Sequence, residues 1–213
     1  MPDLSIERGH GGCVAGVDEA GRGPWAGPVV AAAVILPAGL PADLAGQLDD
    51  SKKLRAQKRE TLLSALLQCA DIGMGAASVA EIEKFNILAA SHIAMCRAVS
   101  ALRTRPDIAL IDGNLLPPGL SCPARAIVGG DGLSLSIAAA SIVAKVTRDR
   151  IMTALAARYP AYRWERNAGY GTRQHREGLA AAGVTPHHRR GFKPVTQILS
   201  QPQEKTPHIA ITP

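Results

Sequence analysis

The sequence predicts an α/β protein built on a mixed β-sheet that is flanked by helices. Two strand-like segments follow each other near the N-terminus, and short apolar segments then alternate with longer helical ones. A chain of 213 residues suits a single domain with a real core. Because 46% of the residues are hydrophobic and only 3% are aromatic, we expect small aliphatic side chains that let helices lie close to the sheet.

The strands are predicted where short apolar or β-branched runs end in Gly, Pro or Asp. The first two runs form a hairpin, and a loop rich in Pro, Gly and Asp is expected over residues 37–51. The predicted strands are 13–18, 28–36, 72–79, 108–111 and 124–128.

The helices are predicted from apolar residues at helical spacing and from capping residues. Residues 54–69 form the first, and Ser78 with Glu81 makes a capping box that opens a second, short helix. Residues 86–102 and 134–159 form two longer helices, and Thr172 caps a last helix through 182. Residues 1–199 are therefore interpreted as one domain whose C-terminal part, from about 160, is a helical extension. The polar, Pro-rich residues 200–213 are expected to be a disordered tail.

The charge is concentrated in one third of the chain. Residues 1–144 carry 12 basic and 14 acidic side chains, whereas residues 145–193 carry 11 basic and 3 acidic ones, a net charge of +8. Such a basic segment is typical of proteins that bind a polyanion, although a solvated charged surface has the same composition. The four cysteines lack C-x-x-C spacing, and no apolar run is long enough for a membrane span or a secretory signal. A cytoplasmic protein without membrane contact is expected, and monomer is the default.

Four acidic residues follow predicted strands, and these are the candidate catalytic residues. Asp18 and Glu19 end the first strand, Asp112 ends another, and Asp131 lies between a strand and the long helix. Ligands gather at the carboxyl ends of strands in open α/β sheets, so we expect the four carboxylates to converge there. Taken singly, Asp112 is more typical of an ordinary turn and Asp131 of a helix cap, so the functional interpretation rests on all four acids occurring together.

The two adjacent acids need a bend in the chain to share one site, because neighbouring strand residues point to opposite faces. The glycines that follow permit such a bend. Oxygen ligands without nearby His or Cys suit Mn²⁺ or Mg²⁺ rather than zinc. Two such ions activate water and stabilise the leaving oxygen in phosphodiester hydrolysis.

Further polar residues are candidate substrate contacts. Gly21, Arg22 and Gly23 form a loop whose backbone can approach a ligand. Ser51 and Lys52 precede a helix and suit a phosphate contact, or simply a capped helix start. The remaining candidates are Lys145 and Arg148 on one helix face, Tyr170 in a Gly-Tyr-Gly-Thr turn suited to stacking, and His188 and Arg189 in a basic cluster.

These motifs together resemble the ribonuclease HII family over residues 13–195. The segments that carry the resemblance are GVDEAGRGP (16–24), DSK (50–52), LIDG (110–113), GD (130–131), IAAASIVAKVTRD (137–149), GYGT (169–172) and HR (188–189). The first segment and the long helical one are highly specific, whereas the others are weak alone.

The resemblance implies an RNase H-like fold with a helical C-terminal extension. It implies that Asp18, Glu19, Asp112 and Asp131 bind two divalent ions, that the Gly21–Gly23 loop reads ribose 2′-hydroxyls, and that Tyr170 stacks at the RNA–DNA junction. The implied substrates are RNA·DNA hybrids and duplex DNA with embedded ribonucleotides, cut to 5′-phosphate and 3′-hydroxyl ends. The family pattern is not matched at Trp164, in the 166–168 segment and at Gly191. The resemblance therefore does not specify how the C-terminal part contacts nucleic acid. The sister family, ribonuclease HIII, carries an extra N-terminal domain, whereas about a dozen residues precede the first strand here, so HII is favoured.

Two other functions fit parts of the sequence. A non-catalytic nucleic-acid-binding module would use the acids only as caps and turns, and would bind without magnesium. A different RNase H-like nuclease would cut all-DNA duplexes. Four acids beside a basic segment favour the metal-dependent ribonuclease, because a binder has no use for carboxylates along a phosphate path.

Overall fold

The computed structural model describes residues 1–200, in which eight helices surround one five-stranded sheet. The strands are β1 Val14–Ala20, β2 Val29–Ile35, β3 Asp71–Ala77, β4 Ile108–Asp112 and β5 Ala124–Ile127. The helices are α1 Ser5–His10, α2 Ala42–Ala45, α3 Ala56–Cys69, α4 Val79–Ser100, α5 Leu135–Arg158, α6 Trp164–Asn167, α7 Arg173–Ala182 and α8 Lys193–Leu199. Single 3₁₀ turns lie at Gly130–Gly132 and Pro160–Tyr162.

The sheet is mixed, as predicted, with the strand order β3-β2-β1-β4-β5. The three strands β1, β2 and β3 pair antiparallel, whereas β4 and β5 run parallel to β1. The carboxyl ends of β1, β4 and β5 therefore lie at one edge, and the acidic residues that follow these strands are brought together there.

Small residues let the two longest helices pack closely on opposite faces of the sheet. A β-carbon added to Gly16 of β1 would lie 2.1 Å from the backbone of Ser136, so α5 contacts this strand almost directly. On the other face, a β-carbon on Gly75 of β3 would lie 2.2 Å from the carbonyl of Ala94 in α4. The expectation of close helix–sheet contact is confirmed.

Several local predictions are confirmed and others are corrected. Ser78 and Glu81 form the predicted capping box, and α4 is interrupted at Asn86, where the second helical segment was predicted to begin. The first strand was predicted to end at Asp18, but its pairing with β2 continues to Ala20. The loop over 37–51 contains the short α2, and α1, α6 and α8 were not predicted because helices of four to seven residues show almost no periodicity.

The sequence also predicted a disordered C-terminal tail and no membrane span. Apart from Ser200, the tail over 200–213 lies outside the described residues. Within residues 1–200, none of the helices combines the length and apolarity needed to span a bilayer.

Candidate active site

Three aspartates meet at the carboxyl edge of the sheet. Asp18, Asp112 and Asp131 each offer a carboxylate oxygen, and the three oxygens lie within 4.8 Å of one another. Asp18 projects from β1, Asp112 ends the neighbouring β4, and Asp131 sits in the 3₁₀ turn that follows β5. Asp18 and Asp131 are buried. A set of three carboxylates without His or Cys fits a hard divalent ion such as Mg²⁺ or Mn²⁺.

The backbone holds two of these carboxylates in place. The N–H of Gly130 donates to Asp112 Oδ1 at 2.7 Å, which ties the turn carrying Asp131 to the end of β4. The N–H of Glu19 donates to Asp18 Oδ1 at 2.7 Å. The cluster is therefore fixed by short local contacts at strand ends.

The cluster carries concentrated negative charge. Burial raises the pKa of Asp18, and the charges of Glu19 and Asp112 raise it further. Burial and the charge of Asp131 likewise raise the pKa of Asp112. Mutual repulsion of this kind is relieved by a bound cation, which is the electrostatic property expected of a metal site.

Glu19 lies beside the cluster rather than within it. Asp18 shares the face of Gly16, which contacts α5, whereas Glu19 alternates to the opposite face with Val17, which packs against α4. Arg22 Nη1 donates to Glu19 Oε1 at 3.3 Å. Burial raises the pKa of Glu19, the charge of Arg22 opposes this, and the charge of Asp112 adds to it. The strand does not end at Asp18 as expected, because β1 continues to Ala20, and Glu19 is therefore not part of the aspartate cluster. Metal binding by Glu19 stays a prediction.

Of the predicted phosphate contacts, Lys52 is the one that reaches the acidic cluster. Its Nζ lies 3.0 Å from Asp131 Oδ2 and 3.5 Å from Asp50 Oδ1, and most of the side chain is exposed. Partial burial lowers the pKa of Lys52, but the hydrogen bond to Asp131 and the acidic charges outweigh it and raise the pKa. Ser51 is buried, and its backbone N–H donates to Ser141 Oγ at 3.2 Å, so it anchors this loop to α5.

Two buried arginines hold the loop that follows Glu19. Arg148 of α5 donates to the carbonyls of Ala26, Pro28 and Ala168 at 2.9–3.0 Å. Arg189 donates to the carbonyls of Gly21, Arg22 and Gly27 at 2.6–3.0 Å. Burial lowers the pKa of Arg148 to about 10. Burial lowers the pKa of Arg189 to about 9, with a further contribution from the charge of Arg148.

The expectation that Arg148, His188 and Arg189 touch substrate is corrected by their burial. Each side chain is at most 1% exposed, and all three are engaged by groups of the protein itself. The arginines satisfy backbone carbonyls, so they shape the Gly21–Gly23 loop from behind. Arg22 and Gly23 are exposed and Gly21 is half-buried, and these loop residues stay candidates for substrate contact.

Substitution by alanine should affect stability differently at Gly21 and at Gly23. Gly21 has φ +101°, and an added β-carbon would lie 2.0 Å from Arg148 Nε, whereas at Gly23 the nearest atom is Tyr170 Cε1 at 3.5 Å. Gly21→Ala is expected to lower the free energy of unfolding by about 2–4 kcal/mol through strain and overpacking. Gly23→Ala should change it by at most about 0.5 kcal/mol. Urea unfolding of both variants measures this, and equal stabilities would contradict the described loop geometry.

Tyr170 presents its ring next to the loop. The side chain is 48% exposed, and its ring edge faces Gly23. Its backbone carbonyl lies 2.9 Å from Nδ1 of His175, a fully buried residue of α7 that sequence reasoning missed. His175 Nε2 lies 3.1 Å from His188 Nε2, and Thr185 contacts the far side of His188. A sequence signal for His175 existed, since it precedes the buried Leu179 by four residues, one helical turn.

Because His175 and His188 are buried, we expect the protein to lose stability in acid. Burial lowers the pKa of His188 to about 3, and the charges of His175 and His187 lower it further. Because the unfolded value is about 6.5, the unfolded chain takes up protons first as pH falls, and stability declines through the window from about 6.5 towards 3. The loss of unfolding free energy caused by His188→Asn should therefore be smaller at pH 5 than at pH 7.5. Denaturant unfolding at both values tests this, and an equal loss at both would contradict a neutral His188.

Lys145 lies outside the carboxylate cluster. It pairs with Asp149 at 2.7 Å and lines a groove of about 690 Å³ between α3, α5 and α6. Eight of the eleven basic residues in the 145–193 segment are exposed, which agrees with the basic surface predicted from the sequence. Substrate contact by Lys145 remains a prediction.

Comparison with known proteins gives matches that cover most of the chain. The family model described as Ribonuclease HII matches residues 15–195. A ribonuclease HII from Granulibacter bethesdensis is 61% identical over 207 residues, covering 96% of this chain and 94% of that protein. One from Gluconobacter oxydans is 58% identical over 201 residues, covering 93% and 97%. The crystal structure of ribonuclease H2 from Pyrococcus horikoshii superposes with a TM-score of 0.71 at 28% identity, covering 87% of this chain and 96% of that one.

Proposed function

Because the chain belongs to the ribonuclease HII family and is therefore a metal-dependent endonuclease acting on the RNA strand of RNA–DNA hybrids, we propose a finer activity for it. It incises duplex DNA on the 5′ side of embedded ribonucleotides and leaves 5′-phosphate and 3′-hydroxyl ends. The observation that carries this proposal is the adjacency of three groups. Glu19 lies beside the aspartate cluster and contacts Arg22 of the Gly21–Gly23 loop, and Gly23 of the same loop faces the exposed Tyr170 ring.

Asp18, Asp112 and Asp131 would hold the divalent ions, and Glu19 beside them is the proposed fourth ligand. Bound in this cluster, two Mg²⁺ or Mn²⁺ ions would supply activation of the attacking water and charge stabilisation of the leaving 3′ oxygen. The short contacts from Gly130 and Glu19 preorganise the carboxylates, so little rearrangement is needed when the cluster is neutralised.

Lys52 carries positive charge into this otherwise acidic site. Its ammonium group contacts Asp131, while its stem is free in solvent, so the same group is within reach of a phosphate that enters beside the cluster. A lysine is protonated at neutral pH, and its acidic neighbours raise the pKa of Lys52 further. We assign Lys52 to the phosphate next to the cut, and the exposed basic residues of the C-terminal third to the flanking phosphates.

Recognition of the ribonucleotide belongs to the loop and the ring. The backbone at Gly21 and Gly23 has no side chain to keep a sugar away, which suits contact with a ribose 2′-hydroxyl. We assign the exposed Tyr170 ring to stacking where the nucleic acid changes from RNA to DNA. The two contacts lie side by side, because the Tyr170 ring edge faces Gly23. This arrangement selects a single ribonucleotide through its own hydroxyl and through the deoxyribose that follows it.

A labelled DNA duplex with one ribonucleotide tests the proposal directly. The wild-type protein is incubated with this duplex and Mg²⁺, Mn²⁺ or EDTA, and parallel reactions contain an all-DNA duplex or an RNA·DNA hybrid. A single cut 5′ of the ribonucleotide, lost with EDTA and absent from all-DNA, is the expected result. Cleavage of the all-DNA duplex would favour a different nuclease. Salt-sensitive binding without any cut, with either metal, would leave only a binding module.

A further inference from the structure

A buried chain of hydrogen bonds ends on the backbone of Tyr170. It runs from Thr185 through the rings of His188 and His175 to the Tyr170 carbonyl, with contacts of 2.9–3.1 Å throughout. Both imidazoles are at most 1% exposed. The proposed function uses neither histidine, although together they occupy the centre of the C-terminal aromatic cluster.

Only one assignment of protons satisfies this chain with neutral rings. The backbone N–H of Thr185 can only donate, so His188 Nδ1 accepts and the ring proton of His188 lies on Nε2. That proton is donated to His175 Nε2, which also accepts from Trp164 Nε1 at 3.2 Å. His175 must then carry its own proton on Nδ1, where it donates to the carbonyl of Tyr170.

The chain fixes the backbone of Tyr170 and leaves the ring free. The carbonyl of Tyr170 accepts from His175 and from the N–H of Thr172, and its own N–H donates to the carbonyl of Asn167 at 2.8 Å. The ring is nevertheless half exposed beside Gly23. A stacking residue needs this combination, since a mobile backbone would let the ring leave the junction.

We propose that His175 is a positioning residue for junction recognition: by donating from Nδ1 to the Tyr170 carbonyl, with its tautomer set by His188 and Trp164, it holds the Tyr170 ring beside the Gly21–Gly23 loop. This inference rests on the proposed function, because it assigns a role to the ring that contacts the ribonucleotide–deoxyribonucleotide step. It concerns specificity, since none of these groups touches the carboxylate cluster.

Two substitutions of His175 separate this role from simple packing. In His175→Asn the amide nitrogen takes the place of Nδ1, so the bond to Tyr170 is kept and the acceptor for His188 and Trp164 is lost. In His175→Gln the amide oxygen takes the place of Nε2, so the buried donors stay satisfied and the bond to Tyr170 is lost. The Gln variant should thus be the more stable of the two, and the Asn variant the more specific.

The measured quantity is the ratio of kcat/KM on a single-ribonucleotide duplex to kcat/KM on an RNA·DNA hybrid. His175→Gln is expected to lower this ratio about tenfold, as the loss of one hydrogen bond allows, whereas His175→Asn should keep it. In a Tyr170→Ala background, His175→Gln should cause no further loss, because the histidine acts only through the ring that this background lacks. If the ratio instead followed stability, lower for Asn than for Gln, the histidine would be structural only and the inference would be overturned.

The activity of the wild-type enzyme distinguishes failure of the proposed incision from failure of the role assigned to His175. A wild-type enzyme that cuts the hybrid but not the single ribonucleotide would overturn the proposed incision and this inference with it. Wild-type incision with unchanged ratios in both variants would overturn the inference alone. Should the variants fail to fold, ¹⁵N NMR of histidine-labelled wild type decides: a proton on Nε2 of His175 or on Nδ1 of His188 would contradict the chain.

Discussion

Asp18→Asn is expected to lower kcat by at least about 10³-fold without unfolding the protein, which corresponds to about 4 kcal/mol of transition-state stabilisation. The amide keeps an oxygen that can accept from the Glu19 N–H. It removes one of three crowded negative charges, and because burial and repulsion raise the pKa of Asp18, stability should stay equal or increase. Steady-state cleavage, thermal unfolding and Mn²⁺ titration by electron paramagnetic resonance measure the three effects.

The matched control for this variant is Asp43→Asn. Asp43 is an exposed acid on α2, and it is no part of the aspartate cluster. It should leave kcat and Mn²⁺ binding unchanged. Near-normal turnover of Asp18→Asn, or equal effects of the two substitutions, would show that the cluster is not the catalytic metal site.

Arg189→Met is expected to lower the free energy of unfolding by about 4 kcal/mol. The guanidinium group donates four hydrogen bonds to the carbonyls of Gly21, Arg22 and Gly27, and methionine fills similar space with no donor. Each buried carbonyl left without a partner costs about 1–3 kcal/mol. Cleavage should also weaken, through a raised KM, at temperatures where the variant is still folded, because the Gly21–Gly23 loop loses its support.

Arg190→Met provides the control at the adjacent position. The Arg190 side chain is exposed, so its loss should change stability by at most about 0.5 kcal/mol. Urea unfolding of the two variants gives the comparison. Similar midpoints for Arg189→Met and Arg190→Met would mean that the loop is held by something other than Arg189.

The aspartate cluster was predictable because each acid follows an apolar run that reads as a strand. Asp112 ends β4 as expected, and Asp131 follows β5 closely enough that parallel pairing brings it to the same edge. The position of Glu19 was not predictable, since it depends on how far β1 pairs with β2. The residues around Glu19 contain no local signal for the end of β1, because the strand continues as long as its pairing with β2 does.

The buried cations were assigned wrongly for a physical reason. An arginine near other basic residues is usually solvated, so Arg148 and Arg189 were interpreted as surface contacts. Apart from the Ala168 carbonyl bound by Arg148, their partners are carbonyl groups in residues 21–28, 120 or more positions away for Arg148 and 162 or more for Arg189. Backbone carbonyls leave no trace in a sequence, so such partners become visible only in the folded chain.

The strand order also sets a sequence of events during synthesis. β1 lies at the centre of the sheet, and its parallel neighbour β4 is reached only 94 positions later along the chain. The antiparallel pairs β1–β2 and β2–β3 involve nearer contacts and close first, since long loops are slower to form. Arg189, which supports the loop after β1 from 168 positions away, emerges near the end. Asp18 is thus synthesised early but comes into contact with Asp112 and Asp131 late. A nascent chain therefore has no assembled active site until most of it has left the ribosome.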